Sequence, residues 1–252
     1  MEDYIYGKNP VIEALQAEHE INKLVVLEAS RDKNLQKIVE MAKHKKIMIQ
    51  FAERKIMDKI CDGENHQGVI AYVSPYKYFE VDEIIALAKD KGESPFLIIC
   101  DEITDPHNLG SIIRTANAVG AHGVIIPKRR SAAVNQTVVK TSCGAVEYVP
   151  VARVTNITQT IKTLKEQGIW IIGTDMGAPV YYEANLTGSI AIVIGNEGDG
   201  IGRLVKENCD MMISLPMLGQ VDSLNAAVAG SIVMYEVVRQ RSVALGKAKA
   251  GK

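Results

Sequence analysis

Short apolar runs and one amphipathic stretch predict a small α/β unit near the start of the chain, within residues 4–73. Strands are expected at 23–29, 47–51 and 68–73, where the runs are short and mostly apolar. A helix is expected over 31–45, because apolar residues recur there at helical spacing.

The segment SPYKYFE (74–80) has a proline and three aromatic residues but little periodicity, so a linker is expected there. A helix is expected over 81–91 and a loop over 92–95. The predicted division is an N-terminal domain (1–75), a connecting stretch (76–95), a larger domain (96–245) and a tail (246–252).

From residue 96 onward, apolar runs alternate with longer helical segments. FLIIC (96–100) is continuously apolar, which is typical of a parallel strand buried on both faces. Further strands are predicted at 123–127, 169–174, 190–195 and 211–216, and helices at about 108–119, 155–167 and 224–242. This alternation predicts an α/β domain with a mostly parallel sheet and helices on both faces.

Composition narrows the class of protein. The chain is 47% hydrophobic, and no apolar run reaches the roughly eighteen residues of a membrane helix. The polar start MEDYIYGKNP does not resemble a secretion signal, so a cytoplasmic protein is expected. The four cysteines form no C-x-x-C pair and no zinc-finger spacing with histidine, so buried reduced thiols and no metal site are expected.

Net charge gives no support for nucleic-acid binding, since the formal charge is −1. Any RNA surface therefore has to come from local clusters of basic residues. The candidates are Lys43, Lys45 and Lys46; Lys128, Arg129 and Arg130; and Lys247, Lys249 and Lys252.

Three segments follow predicted strand ends, where open α/β sheets bind their ligands. In the first (101–121), Asp105 and Pro106 suit the N-cap and first position of a helix. Asn108 is expected in the loop or the first turn, where it can reach across the strand ends. Arg114 lies six residues later, and either a functional role or a surface ion pair fits it.

The second segment, IVIGNEGDGIGR (192–203), has four glycines within eight residues and can approach a ligand closely. It contains neither a dinucleotide fingerprint nor a P-loop. Glu197 would repel a phosphate, so the segment favours a cationic or hydroxyl-bearing ligand. A plain glycine-rich turn is the alternative.

The third segment (215–236) begins as an irregular loop at Pro216 and Gly219. Ser223 is predicted to be the N-cap of the last helix. Small residues that follow it permit close packing, and the helix N-terminus offers N–H groups to a ligand carboxylate.

Taken together, NLGSIIRTA (108–116), IVIGNEGDGI (192–201) and ISLPMLGQVDSLNAAVA (213–229) resemble, in order, the three motifs of the SpoU (TrmH) branch of the SPOUT methyltransferases. The resemblance spans about residues 96–242. The N-terminal unit resembles the ribosomal-protein-like RNA-binding domain that often precedes this catalytic domain. The whole chain is most similar to bacterial enzymes that methylate the ribose of a guanosine in 23S ribosomal RNA.

The resemblance implies a deep trefoil knot, which physical reasoning alone argues against. It also implies bound S-adenosylmethionine and a homodimer with each site near the subunit boundary. RNA rather than DNA is the expected partner, because only RNA carries the 2′-hydroxyl. The cofactor-binding residues implied by the motifs are Thr174, Gly195, Asn196, Gly198, Leu215 and Leu224.

The same resemblance implies direct methyl transfer to a ribose 2′-oxygen, with Arg114 activating the hydroxyl. A guanidinium is a poor base, so stabilisation of the developing alkoxide is an equal alternative. Asn108 is expected to position the ribose or Arg114, and Glu197 to orient the arginine or the hydroxyl. Ser223 and Asn225 are expected to organise the third motif.

Three alternatives remain open from the sequence. The same reaction on transfer RNA fits the motifs equally, because these motifs do not select the substrate. A non-catalytic RNA-binding assembly factor would retain the fold but not all five motif residues. A nucleotide-binding oxidoreductase is disfavoured by the missing glycine fingerprint.

Overall fold

A computed structural model of the chain describes residues 4–16, 21–30, 32–73, 76–220, 222–244 and 246. Within it, the chain divides into two compact units, residues 1–77 with 133–136 and residues 78–132 with 137–252. Residue 31 of the predicted helix, residues 74 and 75 of the predicted linker and the basic cluster of the tail lie outside the described residues.

The described part of the first unit contains a four-stranded mixed sheet with the order β1-β4-β2-β3. The strands are β1 (Tyr4–Tyr6), β2 (Ile21–Leu27), β3 (Met48–Ala52) and β4 (Val69–Val73). The helices are α1 (Lys8–Gln16), α2 (Lys33–His44) and α3 (Arg54–Ile60). Of these elements, β1, α1 and α3 were not predicted.

Two apolar clusters cover the faces of this sheet. One joins Leu24 and Val69 of the sheet to Leu15 of α1 and Ile38 of α2. The other contains Met57 of α3. The helix α2 begins where the Asp32 carboxylate accepts hydrogen bonds from two main-chain N–H groups, which is a conventional N-cap.

In the second unit, the described residues form a six-stranded sheet with the order β10-β8-β9-β5-β6-β7, and every pair is parallel. The strands are β5 (Phe96–Cys100), β6 (Gly123–Pro127), β7 (Val151–Val154), β8 (Trp170–Thr174), β9 (Ile190–Ile194) and β10 (Met211–Ile213). The helices are α4 (Val81–Asp90), α5 (Pro106–Ala118), α6 (Gln136–Thr141), α7 (Ile157–Glu166), α8 (Arg203–Asn208) and α9 (Ala226–Ala244).

The parallel α/β fold predicted for this region is confirmed, and its cause is visible in the two central strands. All five residues of β5 and of β9 are buried, as their continuous apolar sequences require. The last strand is shorter than the predicted 211–216 and ends at Ile213. The strand β7 and the helices α6 and α8 were not predicted.

The structure corrects the expectation that all four cysteines are buried. Cys61 and Cys100 are buried free thiols, whereas Cys143 is exposed and Cys209 is half-buried. Burial raises the pKa of Cys100 to about 12, so this thiol stays protonated.

Among the helices of the described residues, none combines the length and apolar composition needed to cross a membrane.

Candidate active site

The carboxyl ends of β8, β9 and β10 meet at one edge of the second sheet, because parallel strands end on the same side. An open pocket with an empty volume of about 890 Å³ lies at this edge. Its lining includes every residue predicted to bind the cofactor: Thr174, Gly195, Asn196, Gly198, Leu215 and Leu224. The second and third motifs of the sequence are therefore brought together in space.

A tight turn after β9 forms one wall of this pocket. The main chains of Asn196 and Gly200 exchange two hydrogen bonds of 3.1 Å. The Asn196 side chain also accepts hydrogen bonds of 2.8 Å from the N–H groups of Gly198 and Asp199. A Cβ on Gly195 would lie 2.2 Å from the carbonyl carbon of Gly200, so only glycine fits there.

The remaining walls suit a ligand with a flat apolar part and a positive charge. Apolar side chains from β9, β10 and α9 line the pocket together with Asp175, Asp199 and Asp222. Within the described residues, the main-chain groups of Leu215 and Leu224 make no hydrogen bond. The adenine, sulfonium and ammonium groups of S-adenosylmethionine fit this set of donors, acceptors and charges.

A cluster of three polar side chains lies beside the pocket and joins the three motifs. The Asn108 side-chain amide donates a 3.0 Å hydrogen bond to the Glu197 carboxylate. The Asn225 amide donates to Glu197 and, over 2.9 Å, to the side-chain oxygen of Asn108. We call Asn108, Glu197 and Asn225 the amide–carboxylate cluster.

Asn225 also starts the last helix. Its side-chain oxygen accepts hydrogen bonds of 3.0 and 3.2 Å from the N–H groups of Ala227 and Val228, so it is the N-cap of α9. The prediction of Ser223 as the N-cap, with a helix from 224, is therefore wrong. Ser223 is exposed and makes no hydrogen bond within the described residues.

Arg114 does not join the cluster within this chain. It is exposed on α5, and its side chain has no hydrogen bond or ion pair among the described residues. Six residues of helix place it ~9 Å along the axis and ~120° around it from Asn108. Glu197 contacts the two asparagines, and its expected role in orienting Arg114 or the hydroxyl stays a prediction.

A second cavity of about 650 Å³ shares a wall with the pocket. Asn196, Glu197, Gly198 and Ala226 line both spaces. The loop after β5 lines its other side with Glu102, Ile103, Thr104 and Asp105. Sequence analysis did not find this cavity, although two strand-end segments, 101–105 and 195–198, were available to suggest it.

Asp101 is a structural residue of the site that the sequence analysis missed. Its side chain is 6% exposed and accepts a 2.8 Å hydrogen bond from the N–H of Gly202. Burial raises the pKa of this carboxyl. The hydrogen bond fastens the end of β5 to the end of the glycine-rich segment. A polar residue directly after a fully buried strand is the signal that could have found it.

Comparison with known proteins agrees with this geometry. Residues 95–235 match the SpoU rRNA methylase family, and residues 4–79 match the substrate-binding domain of RNA 2′-O-ribose methyltransferases. The Bacillus subtilis protein YacO, named for the TrmH family of tRNA/rRNA methyltransferases, is 50% identical over 242 residues, which is 95% of this chain and 96% of YacO. A Staphylococcus aureus relative with the same family name is 46% identical over 245 residues, covering 96% of this chain and 98% of its own.

Two solved structures with a similar fold are also SpoU or TrmH proteins. The SpoU methyltransferase AviRb from Streptomyces viridochromogenes, in complex with AdoMet, superimposes with a TM-score of 0.61 and 26% identity over 95% of this chain and 90% of AviRb. The A. aeolicus TrmH/SpoU tRNA modifying enzyme gives a TM-score of 0.57 and 25% identity over 68% of this chain and 91% of that enzyme.

The chain belongs to the SpoU rRNA methylase family. It is an RNA 2′-O-ribose methyltransferase, and S-adenosylmethionine is its cofactor. The family resemblance, the cofactor and the α/β fold expected from the sequence are thereby confirmed.

Proposed function

We propose that this protein methylates the 2′-hydroxyl of a guanosine in 23S ribosomal RNA, as a cytoplasmic homodimer. The observation that carries the proposal is the amide–carboxylate cluster, which stands between a pocket for the cofactor and a separate cavity. Methyl transfer requires two adjoining spaces of this kind, because donor and acceptor must meet across a short distance.

The N-terminal unit is proposed to select the RNA. Its match to a substrate-binding domain supports this role. Lys43, Lys45 and Lys46 are all exposed at the end of α2 and could contact RNA phosphates there. The domain limits inferred from the sequence, 1–75 and 96–245, are part of the same proposal.

In the proposed reaction, S-adenosylmethionine supplies a methyl group on a positively charged sulfur. The ribose lies in the second cavity, with its 2′-hydroxyl at the shared wall. Glu197 and Asn108 would orient the 2′-hydroxyl that accepts the methyl group, and the hydroxyl proton would pass to water. Arg114 stabilises the negative charge that develops on the oxygen.

The homodimer is supported by the outer surface of α9. Val228, Ile232, Tyr235 and Val243 are between 37% and 70% exposed and recur at helical spacing, so they form an apolar stripe. Arg114 lies on the exposed side of α5, a helix that packs against α9 through a 2.9 Å hydrogen bond between Thr115 and Ser231. A second copy on this surface would place each site near the subunit boundary.

The knot implied by the resemblance is proposed as well. Close packing of α9 on the end of β9 supports it: a Cβ on Gly230 would lie 2.3 Å from the Ile194 side chain. A helix that follows the last strand is thereby held against the middle of the sheet.

Transfer RNA is the second candidate substrate. It is favoured by the names of the relatives, which include tRNA/rRNA methyltransferases, and by the likeness to a tRNA modifying enzyme. The two substrates share the reaction and differ only in the RNA.

The test uses tritiated S-adenosylmethionine with unmodified transcripts of 23S ribosomal RNA and transfer RNA, and a reaction without the protein as the blank. We expect label in the 23S transcript, at one guanosine whose 3′ linkage resists alkaline cleavage. Label only in transfer RNA would move the proposal to the second candidate. Label at a base, cleaved normally by alkali, would refute ribose methylation.

A further inference from the structure

A loop with three consecutive basic residues follows β6 in the second unit. We call Lys128, Arg129, Arg130 and Ser131 the basic loop. The strand β6 is parallel to its neighbour β5, so the basic loop leaves the sheet at the same edge as the site. Its basic residues form one of the three candidate RNA surfaces of the sequence, and the proposed function gives them no role.

Hydrogen bonds hold the basic loop in place at both ends. At its start, Lys128 donates its N–H to the Val154 carbonyl over 2.8 Å and accepts a 3.3 Å hydrogen bond from Arg153. At its end, the Ser131 hydroxyl donates to the Ile103 carbonyl over 3.3 Å, and the following N–H donates to the same carbonyl over 2.8 Å. Ile103 lines the second cavity, so the loop is fixed to the cavity wall.

The basic loop and the second cavity carry opposite charges. Lys128 and Arg129 make no ion pair within the described residues. Arg130 contacts Glu102 over 3.2 Å, but both side chains are exposed, and exposed pairs exchange readily with other ions. The cavity beside the loop is lined by the carboxylates of Glu102, Asp105 and Glu197.

The main chain is unusual where the two charges meet. Arg130 has a φ of 54° and Glu102 a φ of 57°, so both are non-glycine residues in the left-handed region. Conformations of this kind concentrate at binding and catalytic sites, where the surrounding structure enforces them. The strained pair agrees with a functional surface at this position.

We propose that the basic loop binds the RNA phosphates that flank the target nucleotide, while the ribose and base enter the second cavity. Cations attract the phosphates, and the carboxylates of the cavity repel them. The same carboxylates accept hydrogen bonds from ribose hydroxyl and base N–H groups. The separation of positive and negative charge thus orients the nucleotide. This proposal rests on the RNA methylation proposed above.

The test compares Lys128→Gln/Arg129→Gln with Lys89→Gln/Lys162→Gln. The control pair removes the same charge from exposed lysines of α4 and α7 that have no partner among the described residues. Binding of a 23S ribosomal RNA transcript is measured by filter retention over a range of salt concentrations, without S-adenosylmethionine, whose binding is measured separately.

We expect the basic-loop variant to bind the transcript about tenfold more weakly near physiological salt. The slope of log affinity against log salt should fall by about 0.7 for each phosphate that the variant no longer neutralises. The control variant should stay within about twofold of the unchanged protein, and both should bind S-adenosylmethionine normally. Arg129→Lys should keep most of the affinity, because lysine also pairs with phosphate.

Equal RNA affinity and equal slopes in the two double variants would overturn the proposal. A loss of S-adenosylmethionine binding in the basic-loop variant would do so too, because the loop would then serve the fold or the cofactor. The slopes are measured without turnover, so they test the basic loop even where no transcript is methylated. Absence of methylation by the unchanged protein counts only against the proposed function.

Discussion

Two groups of residues from the same three motifs differ in how the fold treats them. Asn108, Glu197 and Asn225 are tied together by hydrogen bonds within one chain. Arg114 and Ser223 are exposed and have no partner in the described part of the chain. The fold alone fixes the first group, whereas under the proposed function RNA, cofactor or a second subunit would fix the second.

The difference has a structural cause. Glu197 lies at the N-terminus of α9, where the helix dipole and the N–H of Ala226 stabilise a carboxylate. Asn225 uses its oxygen to cap the helix and its amide to reach Glu197. Arg114 extends from a helical surface that faces away from these hydrogen bonds. Substitutions in the two groups should therefore separate activity from stability.

The largest effect is expected for Arg114→Ala. Removing a group that stabilises the developing charge should slow methyl transfer about 10²–10³-fold. Unfolding free energy should change by less than about 0.5 kcal/mol, because the substitution breaks no hydrogen bond or ion pair of the folded chain. Single-turnover transfer at saturating RNA and chemical denaturation would measure the two quantities, and transfer at the unchanged rate would remove Arg114 from the reaction.

Gly195→Ala should have the next largest effect. The added methyl group would overlap the main chain of Gly200, so the turn has to shift. Overpacking of this kind costs about 1–3 kcal/mol, which corresponds to about 5–150-fold weaker S-adenosylmethionine binding. Titration calorimetry measures the affinity. Gly188→Ala is the matched control, because a Cβ there meets nothing within 4 Å.

Asn225→Ala should reduce stability and activity together. Loss of the N-cap costs about 0.5–2 kcal/mol, and the Glu197 carboxylate also loses a donor. Thermal unfolding should show a decrease in Tm of about 2–4 °C for each kcal/mol. Ser223→Ala is the comparison from the other group and should leave Tm unchanged. Equal Tm values for Asn225→Ala and Ser223→Ala would contradict the division of the motif residues into two groups.

The sequence predicted what depends on local pattern. Continuous apolar runs identified the buried strands β5 and β9, and Asp105 with Pro106 identified the start of α5. In the structure, the Asp105 carboxylate accepts a 2.8 Å hydrogen bond from the N–H of His107, as an N-cap does. Each feature involves residues that are close in the chain.

What the sequence did not predict depends on contacts between distant residues. Ser223 and Asn225 are both good N-caps, and the choice falls on Asn225 because its amide also reaches Glu197 and Asn108, 28 and 117 positions away. The second cavity likewise forms only when the segments after β5 and β9 meet. Periodicity and capping preferences carry no information about contacts between segments that are distant in the chain.

The smallest effect is expected on lowering the pH. Acid should reduce stability at the amino ends of the strands of the second sheet without changing the amide–carboxylate cluster. His122 is buried; its Nδ1 accepts a 3.0 Å hydrogen bond from the N–H of Phe96, and its Nε2 lies 3.1 Å from Glu93. Burial lowers the pKa of His122, although Glu93 opposes this effect. The unfolded chain therefore binds the proton more readily, so stability present above about pH 6.5 is lost as pH falls through the folded pKa.

Burial raises the pKa of Asp101, which acts in the opposite direction as pH falls, so the histidine is isolated by comparing the unchanged protein with a His122 variant between about pH 7 and pH 5.5. We expect a decrease in Tm of a few degrees over this range, at about 2–4 °C per kcal/mol. His122→Gln keeps an acceptor for Phe96 but cannot be protonated, so its Tm should depend less on pH. An equal pH dependence in this variant would show that other groups bind the proton on unfolding. At each pH, transfer rates corrected for the folded fraction should be equal for His122→Gln and the unchanged protein, because the cluster lies at the opposite edge of the sheet.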